Sequence, residues 1–240
     1  MKTIKIILSL ILVATLTSCH YDLNIGQVNG DGNVVTEERN VNQDFDQVRG
    51  TRGLDVYLTE GNENKIVVEA DENLVDLIET NISNGKLIIT SSKNIGRAKA
   101  KKVHVTFVKL SNIEASSGAD VIGNSVIKSE TLTLDSSSGA DLEVEVFSKE
   151  LYAETSSGAD IEVSGKSSTL YANASSGSDL DAKKLEVTNC NAKATSGANI
   201  TVTVNNKLNA KASSGGDVKY YGDPVSVSKK DGSSGSIRKM

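Results

Sequence analysis

Ser-Ser-Gly-Ala-Asp stands at residues 116–120, 137–141 and 156–160. Altered copies follow as Ser-Ser-Gly-Ser-Asp from 175, Thr-Ser-Gly-Ala-Asn from 195 and Ser-Ser-Gly-Gly-Asp from 213. Their glycines, Gly118, Gly139, Gly158, Gly177, Gly197 and Gly215, are spaced 21, 19, 19, 20 and 18 residues apart. A period near twenty is the mark of a solenoid, in which each repeat buries its apolar face only against its neighbours. Aligned on the glycine, the copies form columns. Two residues after it stand Asp120, Asp141, Asp160, Asp179, Asn199 and Asp217, and three after it stand Val121, Leu142, Ile161, Leu180, Ile200 and Val218. Five before it stand Ile113, Leu134, Ala153, Ala172, Ala192 and Ala210.

Within a copy the alternation has period two. Leu151, Ala153, Thr155, Ala159, Ile161 and Val163 share one parity, and Tyr152, Glu154, Ser156, Asp160 and Glu162 share the other. That pattern predicts strands with an apolar or small inner face and a polar outer face. Ser, Thr, Gly, Asn and Asp at this density disfavour helix. The leucine-rich repeat has a similar period, but its L-x-x-L-x-L-x-x-N signature is missing. The predicted fold is all-β, a right-handed parallel β-helix or β-solenoid with coils of about twenty residues. The small inner residues suit a narrow lumen, and each repeat glycine is expected to supply positive φ at a coil corner. Cys190 falls in the column of Leu151 and Leu170 and reads as a small buried apolar residue.

Residues 30–110 read as a less regular β region. Val34-Val35, Asp55–Leu58, Lys65–Val68, Lys86–Ile89 and Val103–Val108 have strand character, Asn84-Gly85 signals a hairpin, and Asp71–Ile78 could be one short helix. Gly53-Leu54-Asp55-Val56 echoes the repeat 65 residues before Gly118, about three periods away. The regular coils are expected over 111–222 and a C-terminal cap over 223–240.

The N-terminus, MKTIKIILSLILVATLTSC, has a basic start, a short apolar stretch and Leu16-Thr17-Ser18-Cys19. This has the form of a lipoprotein signal over residues 1–18, with acylation expected at Cys19 and residues 19–29 as a tether. The expected location is then the cell envelope, anchored to a membrane, with the outer membrane favoured. Without residues 1–18 the chain has 24 basic and 31 acidic residues, a balance that disfavours nucleic acid. With Cys19 acylated, Cys190 has no disulfide partner. No Trp and few other aromatics argue against a sugar-processing cleft. Neither histidine has metal-ligand company, and no cofactor is expected.

Gly32–Glu37, Val68–Leu74 and the Ser-Ser-Gly-Ala-Asp series together resemble the head GIN domain family of auto-transporter adhesins, mostly envelope lipoproteins of Bacteroidota. The resemblance covers roughly residues 30–236. It implies a β-helical fold, and the adhesin function attached to the family is itself a fold-level analogy.

Stacked coils would set the Asp column at about 4.8 Å spacing, where two carboxylates in water repel by roughly 0.9 kcal/mol before screening. Either each Asp accepts backbone N–H bonds from its own corner, as in an Asx turn, or a cation offsets the charge. Gly-x-Asp also recurs in Ca²⁺-binding β-rolls, which makes Asp120, Asp141, Asp160, Asp179 and Asp217 the Ca²⁺ candidates. The favoured function is non-catalytic: an adhesin, binding or scaffold solenoid that contacts a surface polymer or protein. A Ca²⁺-binding module and a polysaccharide-acting enzyme are the alternatives. Open solenoid ends would also allow end-to-end self-association.

Overall fold

The structure, a computed structural model, describes residues 26–240. The proposed signal segment and Cys19 lie outside the described residues. In chain order the elements are β1 (Gln27–Val28), β2 (Val34–Arg39), β3 (Gln47–Gly50), β4 (Asp55–Glu60), β5 (Lys65–Asp71), α1 (Glu72–Val75), β6 (Ile78–Ser83), β7 (Lys86–Ser91), β8 (Asn94–Ile95) and β9 (Lys101–Phe107). There follow β10 (Asn112–Ser116), β11 (Asp120–Gly123), β12 (Ile127–Ser137), β13 (Asp141–Ser156), β14 (Asp160–Ser175), β15 (Asp179–Thr195), β16 (Asn199–Ser213), β17 (Asp217–Tyr221), β18 (Ser226–Asp231) and β19 (Ser236–Lys239).

The repeats form a β-solenoid. Strands β12 to β16 pair in parallel, each with the next, so that a residue lies beside its counterpart one coil on. Along β13, Leu142, Val144, Val146 and Ser148 are buried; the alternation then slips one residue at Lys149–Glu150 and resumes with Leu151, Ala153 and Thr155. That slip and the Ser-Ser-Gly corner are the two places where a coil turns, giving two strand faces around one lumen. One inner column runs Leu87, Val48, Ile113, Leu134, Ala153, Ala172, Ala192, Ala210, all buried. Side-chain volume in this column falls toward the C-terminal coils, while the column of Leu142, Ile161, Leu180 and Ile200 stays large.

Cys190 sits in the next inner column, beside Leu170 and Leu208, and is 1 % exposed. Burial pushes its thiol up to about 12. Since the thiolate is the reactive form, Cys190 should stay unmodified by iodoacetamide at pH 8 in the folded protein and be alkylated in urea. Peptide mass spectrometry on Cys190 checks this; modification in the folded state would refute the buried placement.

Chain order and stacking order differ at the N-terminal end. The echo at Gly53 is not three coils away: β4 pairs directly with β11, Asp55 beside Asp120, and β3 pairs with β10. The 65-residue interval is a single step along the stack. The chain between makes a hairpin excursion and returns, β7 and β9 stacking on the far sides of β3 and β4. Antiparallel pairs then close this end, β2 with β5, β5 with β9, and β6 with β7 around Asn84-Gly85. These antiparallel strands end the parallel stack and cover edges that would otherwise be exposed.

The expected helix shrinks to the four residues of α1. Its N-terminal neighbour Asp71 does not cap it. The buried carboxylate instead accepts N–H bonds from Gly32 (2.9 Å), Lys99 (3.1 Å) and Ala100 (2.9 Å), fastening the 92–100 loop to the start of β2. Burial pushes this carboxyl up, but those three bonds and the Lys99 charge outweigh it and hold it below its usual range. Residues 27–28 are not free tether either, since β1 pairs with β8.

The segment expected as a cap, 223–240, continues the solenoid. Strand β18 pairs in parallel with β16 and β19 with β17, around a further turn at Ser233-Ser234, where Ser234 has φ of 57° and stands in the place of the corner glycine. Pro224 lies between β17 and β18, and the ladder resumes beyond it. Lys229, one coil beyond Ala210 in the inner column, spans the open lumen end. Its Nζ lies 4.9 Å from the Tyr220 ring centroid and 3.4 Å from the Ile237 carbonyl.

Candidate functional site

The corners show how one pentapeptide builds a ridge. Gly118, Gly139, Gly158, Gly177, Gly197 and Gly215 have φ between 66° and 77°. The serines just before them (Ser117, Ser138, Ser157, Ser176, Ser196 and Ser214) have φ of 54–58°. Two successive positive-φ residues are the mark of a type I′ turn, closed by bonds such as Ala159 N–H to the Ser156 carbonyl at 3.3 Å. The sequence pointed to the glycine and missed the serine, although serine recurs at that position in all six copies. A left-handed non-glycine residue costs roughly 1–2 kcal/mol. The return is a continuous backbone ladder: Gly139 N–H donates to the Ser157 carbonyl, Gly158 to Ser176 and Gly177 to Ser196, at 3.0–3.2 Å. Inside the turn, Thr155 Oγ1 donates to the Ala159 carbonyl (2.8 Å) and Ser178 Oγ to Thr155 (3.0 Å), which satisfies buried hydroxyls next to the lumen.

Because the glycine amide serves this ladder, it is not aimed at the aspartate, and the Asx-turn explanation of the Asp column does not hold. The column runs Asp55, Asp120, Asp141, Asp160, Asp179, Asn199, Asp217 in register. Its relief comes from outside the corners. Lys101 lies 3.7 Å from Asp55, Arg238 lies 3.4 Å from Asp217, and Asn199 Nδ2 donates to Asp179 Oδ1 at 2.6 Å. The middle of the row has Glu143 and Glu162 beside it. Together with Asp120, Asp141 and Asp160 they line a shallow groove of about 350 Å³. Burial, then Asp179 and Asp141, push the Asp160 carboxyl up; burial, then Asp55, do so for Asp120.

A carboxyl raised in the folded state opposes folding at neutral pH, and that cost disappears as pH falls below the unfolded value near 3.9. Asp160→Asn should therefore raise the melting temperature at pH 7 in low salt, with the gain shrinking in high salt and at pH 3. A variant that melts lower at pH 7 would refute a strained acidic row. As for Ca²⁺, among the described residues no three Asp, Glu, His or Cys side chains converge as a metal-holding group. The carboxylates stand side by side along an open groove and do not form an enclosing cage.

The face before the corner carries different ladders. Tyr152 and Tyr171 stack at 4.6 Å between centroids, 7° apart, and Asn191 and Asn209 continue that column, with Asn209 Nδ2 donating to Asn191 Oδ1 at 3.3 Å. Lys101 bonds the Gly53 carbonyl and Lys102 pairs with Glu69 (3.3 Å). His104 stacks on Tyr57 at 5.3 Å and bonds Glu69 at 3.0 Å.

A stack of near-identical coils with in-register polar ladders on both outer faces defines a repeat-built surface-presenting solenoid. The chain belongs to the family described as "Putative auto-transporter adhesin, head GIN domain", which matches residues 44–224. It is similar in structure to a putative adhesin from Bacteroides fragilis, at 17 % identity and a TM-score of 0.82, covering 89 % of this chain and 100 % of that one. A putative lipid binding protein from Parabacteroides distasonis aligns at 20 % identity and a TM-score of 0.70, over 89 % of this chain and 99 % of that one. A putative adhesin from Parabacteroides merdae aligns at 22 % identity and 0.66, over 90 % and 99 %. At such identities the likeness shows the fold alone. No curated protein matches the chain in sequence. None of the family and structural descriptions is of an enzyme.

Proposed function

We propose that the protein is a non-catalytic adhesion and scaffold module of the cell envelope, held at a membrane through Cys19. The observation that carries this is the stacking of outer-face side chains in register from coil to coil, exemplified by the Tyr152–Tyr171 stack and the aspartate row. Catalysis needs one irregular constellation of groups; contact with an extended partner is served by a flat surface whose chemistry repeats about every 4.8 Å. The anchor would sit at the end closed by the antiparallel strands, since β1 and β2 belong to that end. The coil of β18 and β19 would then stand farthest from the membrane.

Protease shaving of intact cells, with lysed cells as control, tests the reading. Cleavage on intact cells supports surface display and adhesion. Protection until lysis places the solenoid inside the envelope and removes adhesion to external partners. Recovery of unacylated protein in the soluble fraction would remove the anchor.

A further inference from the structure

One outer column before the corner has a charge sequence that the repeat does not require. After Arg49 at the N-terminal end, it reads in register Glu114, Asp135, Glu154, Asn173, Lys193, Lys211, Lys230. Three acids, a neutral residue and three lysines stand one per coil. The whole solenoid follows this polarity: residues 111–182 hold thirteen Asp and Glu against three Lys, whereas residues 183–240 hold ten Lys and Arg against four Asp and Glu. Like charges directly across neighbouring strands are destabilising, so both runs cost the isolated protein something. Among the described residues, Lys193, Lys211 and Lys230 have no carboxylate within ion-pair distance, and Asp135 and Glu154 have no cation; only Glu114 is engaged, by Lys86 at 2.6 Å and Arg49 at 3.7 Å. Asp135 is half-buried, and burial, then Glu154 and Glu114, push its carboxyl up.

We infer that this face binds a second copy of the same chain, face to face with the solenoid axes antiparallel. A two-fold axis along the strand direction through the coil of Asn173 sets the column against itself in reverse order. Lys193 then meets the other copy's Glu154, Lys211 meets Asp135 and Lys230 meets Glu114, with the reciprocal three pairs on the other side of the axis. The neighbouring column is compatible: the two Tyr171 rings meet at the axis, and Tyr152 faces Asn191. This is the self-complementarity that an isologous interface demands. An arbitrary polyanion would be served by lysines alone and would leave the acidic run unexplained.

The column spans six coil steps, about 29 Å, and the strand face is about 20 Å wide. The contact is therefore roughly 600 Å² per copy, at the low end for specific pairs, and it is reversible and salt-sensitive. Pairing itself does not depend on anchoring. If the envelope reading holds, antiparallel pairing points the two anchors away from each other and joins copies on facing membranes.

Sedimentation velocity of the purified protein tests the pairing. A dimer is expected in low salt and a monomer in high salt. The triple variant Lys193→Glu, Lys211→Glu, Lys230→Glu should be monomeric in low salt, and so should the double variant Asp135→Lys, Glu154→Lys, each with the circular dichroism of the parent. Mixed, the two should form a heterodimer, because an all-acidic column then faces a basic one. A parent protein that stays monomeric at high concentration in low salt overturns the inference. So does a lysine-reversed variant that dimerises like the parent, or a folded pair of variants that fails to combine. If the parent is monomeric and dextran sulfate binds it only while the three lysines are present, the face is a polyanion site instead. Location is read separately by shaving, so failure of pairing and failure of the envelope reading are distinguishable.

Discussion

Gly165→Ala is expected to destabilise the protein by about 2–5 kcal/mol, whereas Gly158→Ala, at a repeat corner, should cost only about 1–2 kcal/mol. Both glycines have positive φ, 101° at Gly165 and 68° at Gly158, so alanine at either position pays the left-handed penalty. The surroundings differ. A Cβ at Gly158 would meet nothing within 4 Å, because the corner projects into solvent. A Cβ at Gly165 would overlap the Val146 carbonyl oxygen of the adjacent coil, and backbone cannot rotate away as a side chain can. Gly165 lies before the far bend, beside Val146 in register and next to a register shift against β15. Accommodating a methyl there means separating two coils. Chemical denaturation of the two variants checks the order; equal losses would show that the bend is not the tighter site. Gly222 has the same relation to the Val204 carbonyl and should behave like Gly165.

Leu134→Ala should cost about 2–5 kcal/mol, and its effect should exceed that of the reverse change, Ala172→Leu, at about 1–3 kcal/mol. The two positions share one inner column, two coils apart, and both are essentially buried. At Leu134 the column is still wide, bordered by Ile113, and truncation leaves a void that the rigid strands cannot collapse to fill. At Ala172 the neighbours are Ala153 and Ala192, so added methylenes overpack the lumen. Since each coil contacts only its neighbours, unfolding need not be two-state. Hydrogen exchange resolved by coil is the matching measurement. It should show the loss centred on β12 and β13 for Leu134→Ala and on β14 and β15 for Ala172→Leu. Uniform loss over the whole chain would argue for one cooperative unit.

Much of this was legible in the sequence because repetition turns a three-dimensional relation into a spacing. Once residues recur every twenty positions, the residue that will lie beside Asp141 is known to be Asp160, and alternation says which side faces inward. The narrow lumen was readable from Ala153, Ala172, Ala192 and Ala210. The acidic row was readable as a row, but not its relief. Lys101 comes from the excursion at the N-terminal end and Arg238 from the coil beyond the last motif copy, and only the folded structure brings them beside Asp55 and Asp217. The left-handed serine was hidden for a different reason, since serine has no marked preference for positive φ and the turn imposes it. The last turn, at Ser233-Ser234, was hidden because Ser234 stands where the other corners have glycine and its flanking strands are mostly exposed.

By itself the sequence determined the coil: its period, its two faces, its corner and the identity of the columns, all of them consequences of local backbone preference and period-two burial. The tertiary structure alone decided the order of the coils and the closure of the ends. The strand at Asp55 pairs with the one at Asp120 because the intervening excursion returns to the stack, and no local spacing encodes where a 50-residue detour ends. The segregation of acids and lysines runs along the chain itself, and the structure decided only that it falls on a single face. Each coil carries its charges individually, and only stacking in register sums them into a field.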